Sequence, residues 1–207
     1  MSSAIDYYFS LVSPWSYIGH APFLEIARRR GASIAYRPLA LNDVFSETGG
    51  LPLARRHPAR QAYRMVELQR WRARRGLAFQ LTPAHWPFDA DPGNRAIVAI
   101  LAAGGDPGAF VQAAFAGVWE GQRDLADPAV LAELLEQSGF DAPATLARAD
   151  SREIRAAYDR NRLDAIALGV FGAPSYVRAG EIFWGQDRLD LLDEALASGR
   201  APLHAAP

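Results

Sequence analysis

Strand signal in this chain is confined to its two ends. Near the N-terminus, residues 4–9 ("AIDYYF") and 33–39 ("SIAYRPL") read as strands, and residues 16–30 between them read as a helix. That helix carries Ile18, Leu24 and Ala27 among its apolar positions, with Gly31 placed to follow its last turn. Near the C-terminus, "PSYVRAGEIFW" holds two short strands around Ala179-Gly180, a hairpin signal. Leu189, Leu192 and Leu196 then mark a last helix, ended by Gly199.

From about residue 42 to 168 the strand signal fades and helical periods take over. Residues 58–75 are arginine-rich, and residues 94–103 carry Ile97, Val98, Ile100 and Leu101. Residues 108–120 place Phe110, Val111, Ala114, Phe115, Val118 and Trp119 on one stripe. Asp127-Pro128 is an N-cap with proline in the first turn, and Gly139 closes that helix. Residues 151–168 form another helix, and no internal repeat or low-complexity segment interrupts the chain. The order β-α-β, helical block, α-β-β-α predicts an α/β fold: a thioredoxin-like domain with a large all-helical insertion. Residues 1–41 and 169–207 would form the thioredoxin-like domain, and residues 42–168 the helical insertion domain. The chain has 207 residues, half hydrophobic and 22% charged, which suits a packed core.

Composition removes several chemistries. The chain has no cysteine, so disulfides, thiolate catalysis, zinc–cysteine sites and dithiol redox chemistry on the chain itself are excluded. The net charge is -1, and nothing global points to nucleic acid or an anionic membrane. All 22 basic residues are arginine. No apolar run approaches the roughly 20 residues needed to cross a bilayer. No basic segment followed by an apolar stretch opens the sequence, so the cytoplasm is the default location. His20, His57, His85 and His204 are scattered without metal-ligand spacing, so no metal site is expected. No G-x-S-x-G, G-x-G-x-x-G or phosphate-binding loop motif appears.

Three short stretches remain that could carry chemistry, each with a structural alternative. Ser13-Pro14-Trp15-Ser16 has the spacing of a C-x-x-C redox pair with oxygen in place of both sulfurs. Ser13 reads as the N-cap of the helix that Pro14 opens, or as a hydroxyl that donates to a thiolate brought in by a ligand. In Phe171-Gly172-Ala173-Pro174-Ser175-Tyr176, Pro174 reads as an ordinary strand start or as a cis peptide. The second reading leaves the Ala173 backbone to pair with an extended peptide ligand. In Phe183-Trp184-Gly185-Gln186-Asp187-Arg188, Asp187 reads as a complement to the dipole of the last helix, or as the acceptor for an α-ammonium group. The run Arg55, Arg56, Arg60, Arg64, Arg70, Arg72, Arg74 and Arg75 reads as a solvated helix face, or as a lure for anionic ligands.

Taken together, "YYFSLVSPWSY" (7–17), "YRPLAL" (36–41), "YRMVELQRWRARRGL" (63–77), "FGAPSYV" (171–177) and "FWGQDRLDLL" (183–192) carry a resemblance. The chain resembles the 2-hydroxychromene-2-carboxylate isomerases, which are similar to kappa-class glutathione transferases and DsbA-like proteins. The resemblance spans nearly the whole length. It implies a thioredoxin-like domain with a helical insertion, a homodimer, and glutathione as cofactor. It implies Ser13 as the catalytic residue that supports the glutathione thiolate. It also implies Ala173 and Pro174 at the cysteinyl unit, and Trp184, Gly185, Gln186 and Asp187 around the γ-glutamyl end. The reaction implied is the cis–trans interconversion of a conjugated aromatic 2-oxo acid by reversible thiolate addition, with the nucleophile on the cofactor. Such chemistry suits a chain without thiols of its own.

The chain also departs from that family. After "YRPLAL" the family commonly has a lysine and an asparagine-containing turn for the substrate; here the stretch is "NDVFSETGGLP". Ser46 or Glu47 stands in place of the lysine and Gly50 in place of the asparagine. A second family lysine before Tyr63 is missing, with Arg60 nearby, and Glu67 replaces an aspartate. Arg60 could clamp a small aromatic carboxylate in its stead, with Trp15 beside it. The alternative is a kappa-like glutathione transferase or peroxidase acting on another electrophile. A third reading is a thioredoxin-fold binding or scaffold protein with no enzymatic activity, whose test is whether glutathione binds at all.

Overall fold

The structure, a computed structural model, describes residues 4–204. The N-terminal unit is β1 (Ala4–Phe9), α1 (Pro14–Arg30) and β2 (Ser33–Pro38). Seven helices follow: α2 (Leu41–Thr48), α3 (Pro58–Arg75), α4 (Asp91–Ala102), α5 (Gly108–Trp119), α6 (Pro128–Gln137), α7 (Ala142–Ala149) and α8 (Arg152–Leu168). The chain closes with β3 (Ser175–Arg178), β4 (Glu181–Trp184) and α9 (Leu189–Ser198). The sheet has the order β2-β1-β3-β4. β1 runs parallel to β2 from Ala4 opposite Ser33 to Phe9 opposite Pro38. β3 lies antiparallel to β1, with Tyr7 opposite Tyr176, and β4 antiparallel to β3. This is the thioredoxin-like α/β arrangement, with the helical segment inserted between β2 and β3.

β1 is the central strand, and its alternation separates two faces. Ile5, Tyr7 and Phe9 point into the larger core with Phe23 of α1, Tyr176 of β3, and Phe110, Phe115 and Trp119 of α5. Tyr7 stacks on Phe9 at 4.4 Å between ring centres and on Tyr176 at 5.4 Å. Tyr8, on the opposite face, joins Leu39, Val44, Ala165, Val170 and Val177 beneath α2 and α8. The larger core thus runs from the sheet into the inserted helices, with a smaller cluster of Val98, Ala99, Ala149, Ile154 and Tyr158 between α4, α7 and α8.

Several boundaries differ from the sequence reading, each for a local reason. α1 begins at Pro14 rather than residue 16, because Ser13 caps it and Pro14 occupies the first turn. Pro22 lies inside α1 without ending it. α4 begins at Asp91, before the apolar stripe that marks its middle. α2 and α7, each of 8 residues, are too short for a helical period to stand out. Gln186 and Asp187 belong to a single 3-10 turn (Gln186–Arg188), so α9 itself starts after them.

His20 of α1 is buried in the larger core at 1% exposure, and neither ring nitrogen has a hydrogen-bond partner among the described residues. Burial pulls its pKa down from 6.5 to about 4. The unfolded chain therefore takes up this proton at a higher pH than the folded one. Stability is full above the unfolded value of 6.5 and falls as the pH drops toward 4. The loss from this residue alone is about 3 kcal/mol across that window. We expect denaturant titrations from pH 7 to pH 4 to show this decline, and His20→Leu to flatten it. Equal pH profiles for the two proteins would refute the assignment.

Candidate active site

The site begins where β1 ends. Beyond Phe9 the chain leaves the sheet, so the backbone groups of residues 10–13 need other partners. The Ser13 N–H donates to the Ser10 carbonyl (3.0 Å). The Leu11 N–H donates to Asn94 Oδ1 (3.4 Å), and the Trp86 indole N–H donates to the Val12 carbonyl (2.9 Å). Asn94 also donates through Nδ2 to the Leu39 carbonyl (3.3 Å) and the Tyr158 hydroxyl (3.0 Å). Helices of the insertion thus hold the turn that presents Ser13.

Ser13 is 4% exposed. Its Oγ accepts from the Ser16 N–H (3.2 Å) as a helix cap and donates to the Ala173 carbonyl (3.4 Å). That second contact is long, so the hydroxyl proton can turn to a stronger acceptor at little cost. Both sequence readings of Ser13 are therefore compatible: it caps the helix and retains a proton to donate. Ala173-Pro174 is a cis peptide. The Pro174 carbonyl accepts from the Gly185 N–H (2.9 Å), which ties the loop to the end of β4. The Ala173 N–H has no partner among the described residues.

Gly185 has φ +100, and a Cβ there would lie 2.4 Å from Asp187 Oδ1, so only glycine fits. It turns the chain so that Gln186 points inward. Gln186 is buried, and Arg75 of α3 donates to its Oε1 (3.0 Å) and to its carbonyl (3.3 Å). With the amide oxygen engaged, the amide nitrogen is the end left to donate. Gly19 of α1 makes this packing possible: a Cβ there would lie 2.7 Å from the Gln186 Cβ and 2.6 Å from the Tyr176 hydroxyl. Asp187 is exposed and paired with Arg188 Nη1 (2.7 Å).

These segments form one wall of a cavity of about 540 Å³, and α3 with Arg56 just before it lines much of the rest. Of the residues singled out in the sequence, Trp15, Arg60, Ala173, Trp184, Gly185, Gln186 and Asp187 line it. Ser13 and Pro174 stand directly behind Ala173 rather than on the surface of the cavity. Residues 46–50, where the family resemblance expects a lysine and an asparagine, contribute nothing to the lining; Glu47 is paired with Arg162.

The lining also includes residues that the sequence reading did not assign to the site: Arg56, Tyr63, Arg64 and Trp71. Part of the signal was present in the four-residue spacing of Arg60 and Arg64, which puts both guanidiniums on one side of α3; Arg56 precedes the helix in extended backbone, so periodicity could not place it. Arg64 is half-buried, and desolvation followed by repulsion from Arg56 lowers its pKa to about 10. Desolvation and Arg60 lower that of Arg56. The two acids of the lining are engaged elsewhere, Glu67 with Arg70 and Asp187 with Arg188. One side of the cavity offers backbone and amide donors, and the other offers aromatic faces and uncompensated positive charge. Such a site suits an extended polar ligand lying beside a planar anion.

Known proteins resemble this chain in sequence and in fold. The DsbA-like thioredoxin domain family matches residues 4–197. A 2-hydroxychromene-2-carboxylate isomerase of Sphingobium xenophagum is 33% identical over 198 residues, covering 95% of this chain and 99% of the relative. A glutathione S-transferase kappa 1 of Caenorhabditis elegans is 39% identical over 67 residues, 32% of this chain and 29% of the relative. The solved structure of a 2-hydroxychromene-2-carboxylate isomerase superposes with a TM-score of 0.80 at 27% identity, covering 94% of this chain and 95% of the other. The chain belongs to the DsbA-like thioredoxin domain family and, within it, to the 2-hydroxychromene-2-carboxylate isomerases.

Proposed function

We propose that the protein is a glutathione-dependent cis–trans isomerase of the 2-hydroxychromene-2-carboxylate type, acting on a conjugated aromatic 2-oxo acid. The observation that carries this reading is the meeting of two unlike walls in one cavity. Ala173, Gln186 and Asp187 offer a peptide-binding side, while Trp15, Tyr63, Trp71 and three arginines offer a side for an aromatic acid.

The residues present fit glutathione. The unpartnered Ala173 N–H can pair with the cysteinyl backbone, as a strand edge pairs with a peptide. Asp187 can exchange Arg188 for an ammonium group, and Gln186, steadied by Arg75, can donate to the γ-glutamyl carboxylate. Glutathione, when bound, supplies the nucleophilic thiolate that a chain without cysteine cannot provide. Ser13 donates its hydroxyl proton toward that sulfur at the N-terminal, positive end of the α1 dipole. Trp15, Tyr63 and Trp71 flank the aromatic ring, and Arg60 holds the carboxylate. The kappa-like transferase reading is favoured at one point: residues 46–50 leave the electrophile side without the family's usual polar contacts.

Incubation with the chromene acid, followed by absorbance, should show isomerisation only when glutathione is added. Conjugation of a general electrophile without isomerisation would favour the transferase instead. Ser13→Ala should lower kcat/KM about 10- to 100-fold, the value of one hydrogen bond to a charged group. The same variant should make the bound thiol ionise at higher pH, followed by its ultraviolet absorbance. Gly19→Ala should displace Gln186 and weaken glutathione binding about tenfold by calorimetry, consistent with overpacking costs of about 1–3 kcal/mol. Unchanged affinity would remove Gln186 from the site.

A further inference from the structure

The arginines of the helical wall differ in depth. Arg60 is exposed, and its side chain makes no ion pair or hydrogen bond among the described residues. Arg56 lies toward the outer end, 5.7 Å from the Phe45 ring centre, with its Nε donating to the Leu51 carbonyl (2.8 Å). Arg64 lies innermost. Its guanidinium sits 5.0 Å from the Trp86 ring centre, and that indole donates to the Val12 carbonyl, one residue before Ser13. Its remaining polar contact is a long one from Nη1 to the Met65 sulfur (3.8 Å). Half-buried guanidiniums facing one cavity repel each other, and no carboxylate among the described residues compensates them. A single negative charge would neutralise only part of this excess.

We propose that Arg64, backed by Arg56 and Arg60, forms a dianion site that selects acids able to carry two neighbouring oxyanions, namely 2-oxo acids in their enolate form. This rests on the isomerase reading and extends it to the specificity of the electrophile half. When a nucleophile bonds to the alkene carbon of a conjugated 2-oxo acid, the displaced π pair moves onto the ketone oxygen. The acid then bears a second charge beside its carboxylate. When the nucleophile leaves, the pair returns to the double bond, and no proton or electron is lost. A planar guanidinium spans two such oxygens, and it acts most strongly where water is partly excluded. Arg64 is the member of the cluster placed for this, next to the turn that carries Ser13. Arg56 and Arg60 hold the outer carboxylate.

Oxalate is a planar dianion with two adjacent carboxylates and serves as the probe; acetate is the monoanion control. Calorimetric titration of the full chain at fixed ionic strength, without glutathione, should give at least about tenfold tighter binding of oxalate. Arg64→Met keeps the aliphatic stem over Trp86 and should reduce that preference to less than about threefold; Arg64→Lys should retain part of it. Saturating glutathione should leave oxalate affinity within about threefold, because the two ligands occupy opposite walls. Equal binding of oxalate and acetate by the wild type would overturn the proposal, as would a preference that survives in Arg64→Met. Competitive displacement of oxalate by glutathione would also overturn it, by assigning the arginines to the tripeptide's own carboxylate. The wild-type preference and the competition decide the matter even if Arg64→Met does not fold. Failure of the isomerase reading shows separately, as no glutathione-dependent conversion of the chromene acid.

Discussion

One buried side chain amide joins the parts of this molecule. Asn94, fully enclosed at the start of α4, accepts from the Leu11 N–H and donates to the Leu39 carbonyl. These groups lie just beyond the ends of β1 and β2, where the sheet ladder stops. An unpaired backbone group buried there would cost about 1–3 kcal/mol. The inserted helices supply the missing partners, with Trp86 doing the same for Val12. The insertion is therefore part of what fixes the active-site turn, as well as a lid over the sheet. Tyr158 of α8 closes the network by accepting from Asn94 and donating to Asp91.

The site lies at the seam between the two parts, and each contributes what its architecture makes available. The thioredoxin-like half contributes backbone geometry: a capped helix start at Ser13, a carbonyl and an N–H without a partner among the described residues at Ala173, and a tight turn at Gly185. The helical half contributes side chains projected from one face of α3: aromatic rings and guanidiniums. Arg75 crosses between them, with its guanidinium 5.3 Å from the Trp71 ring centre and its Nη2 on Gln186. A polar residue of one half is thus oriented by a cation of the other. Under the proposed function, such a plan suits a thiol brought in by a ligand, because the chain has no cysteine of its own.

Much of this was legible in the sequence. The alternation in "AIDYYF" and the stripe through Phe110, Phe115 and Trp119 reflect burial patterns that repeat with the geometry of strand and helix, so they survive in a linear reading. Ser13, Ala173 and the Trp184–Asp187 stretch could be singled out because the local backbone form there is announced by proline and glycine. Arg64 and Asn94 were not visible as site and linchpin. An arginine in an arginine-rich helix has the same local signature whether it faces solvent or a cavity. Asn94 sits in an otherwise apolar helix, and its partners Leu11, Leu39 and Tyr158 are distant in the chain. Helices α2 and α7 escaped because two turns do not establish a period.

By itself the sequence determined the strands and the longer helices, that the sheet is built from both ends of the chain, and that no thiol chemistry can reside on the protein. Those properties follow from local periodicity, turn chemistry and composition. Only the tertiary structure decided which arginines share a cavity, which are neutralised by acids, and how Ser13 is held against Ala173. Charge compensation and desolvation depend on distances between residues far apart in sequence, and those distances exist only once the insertion has folded back onto the sheet.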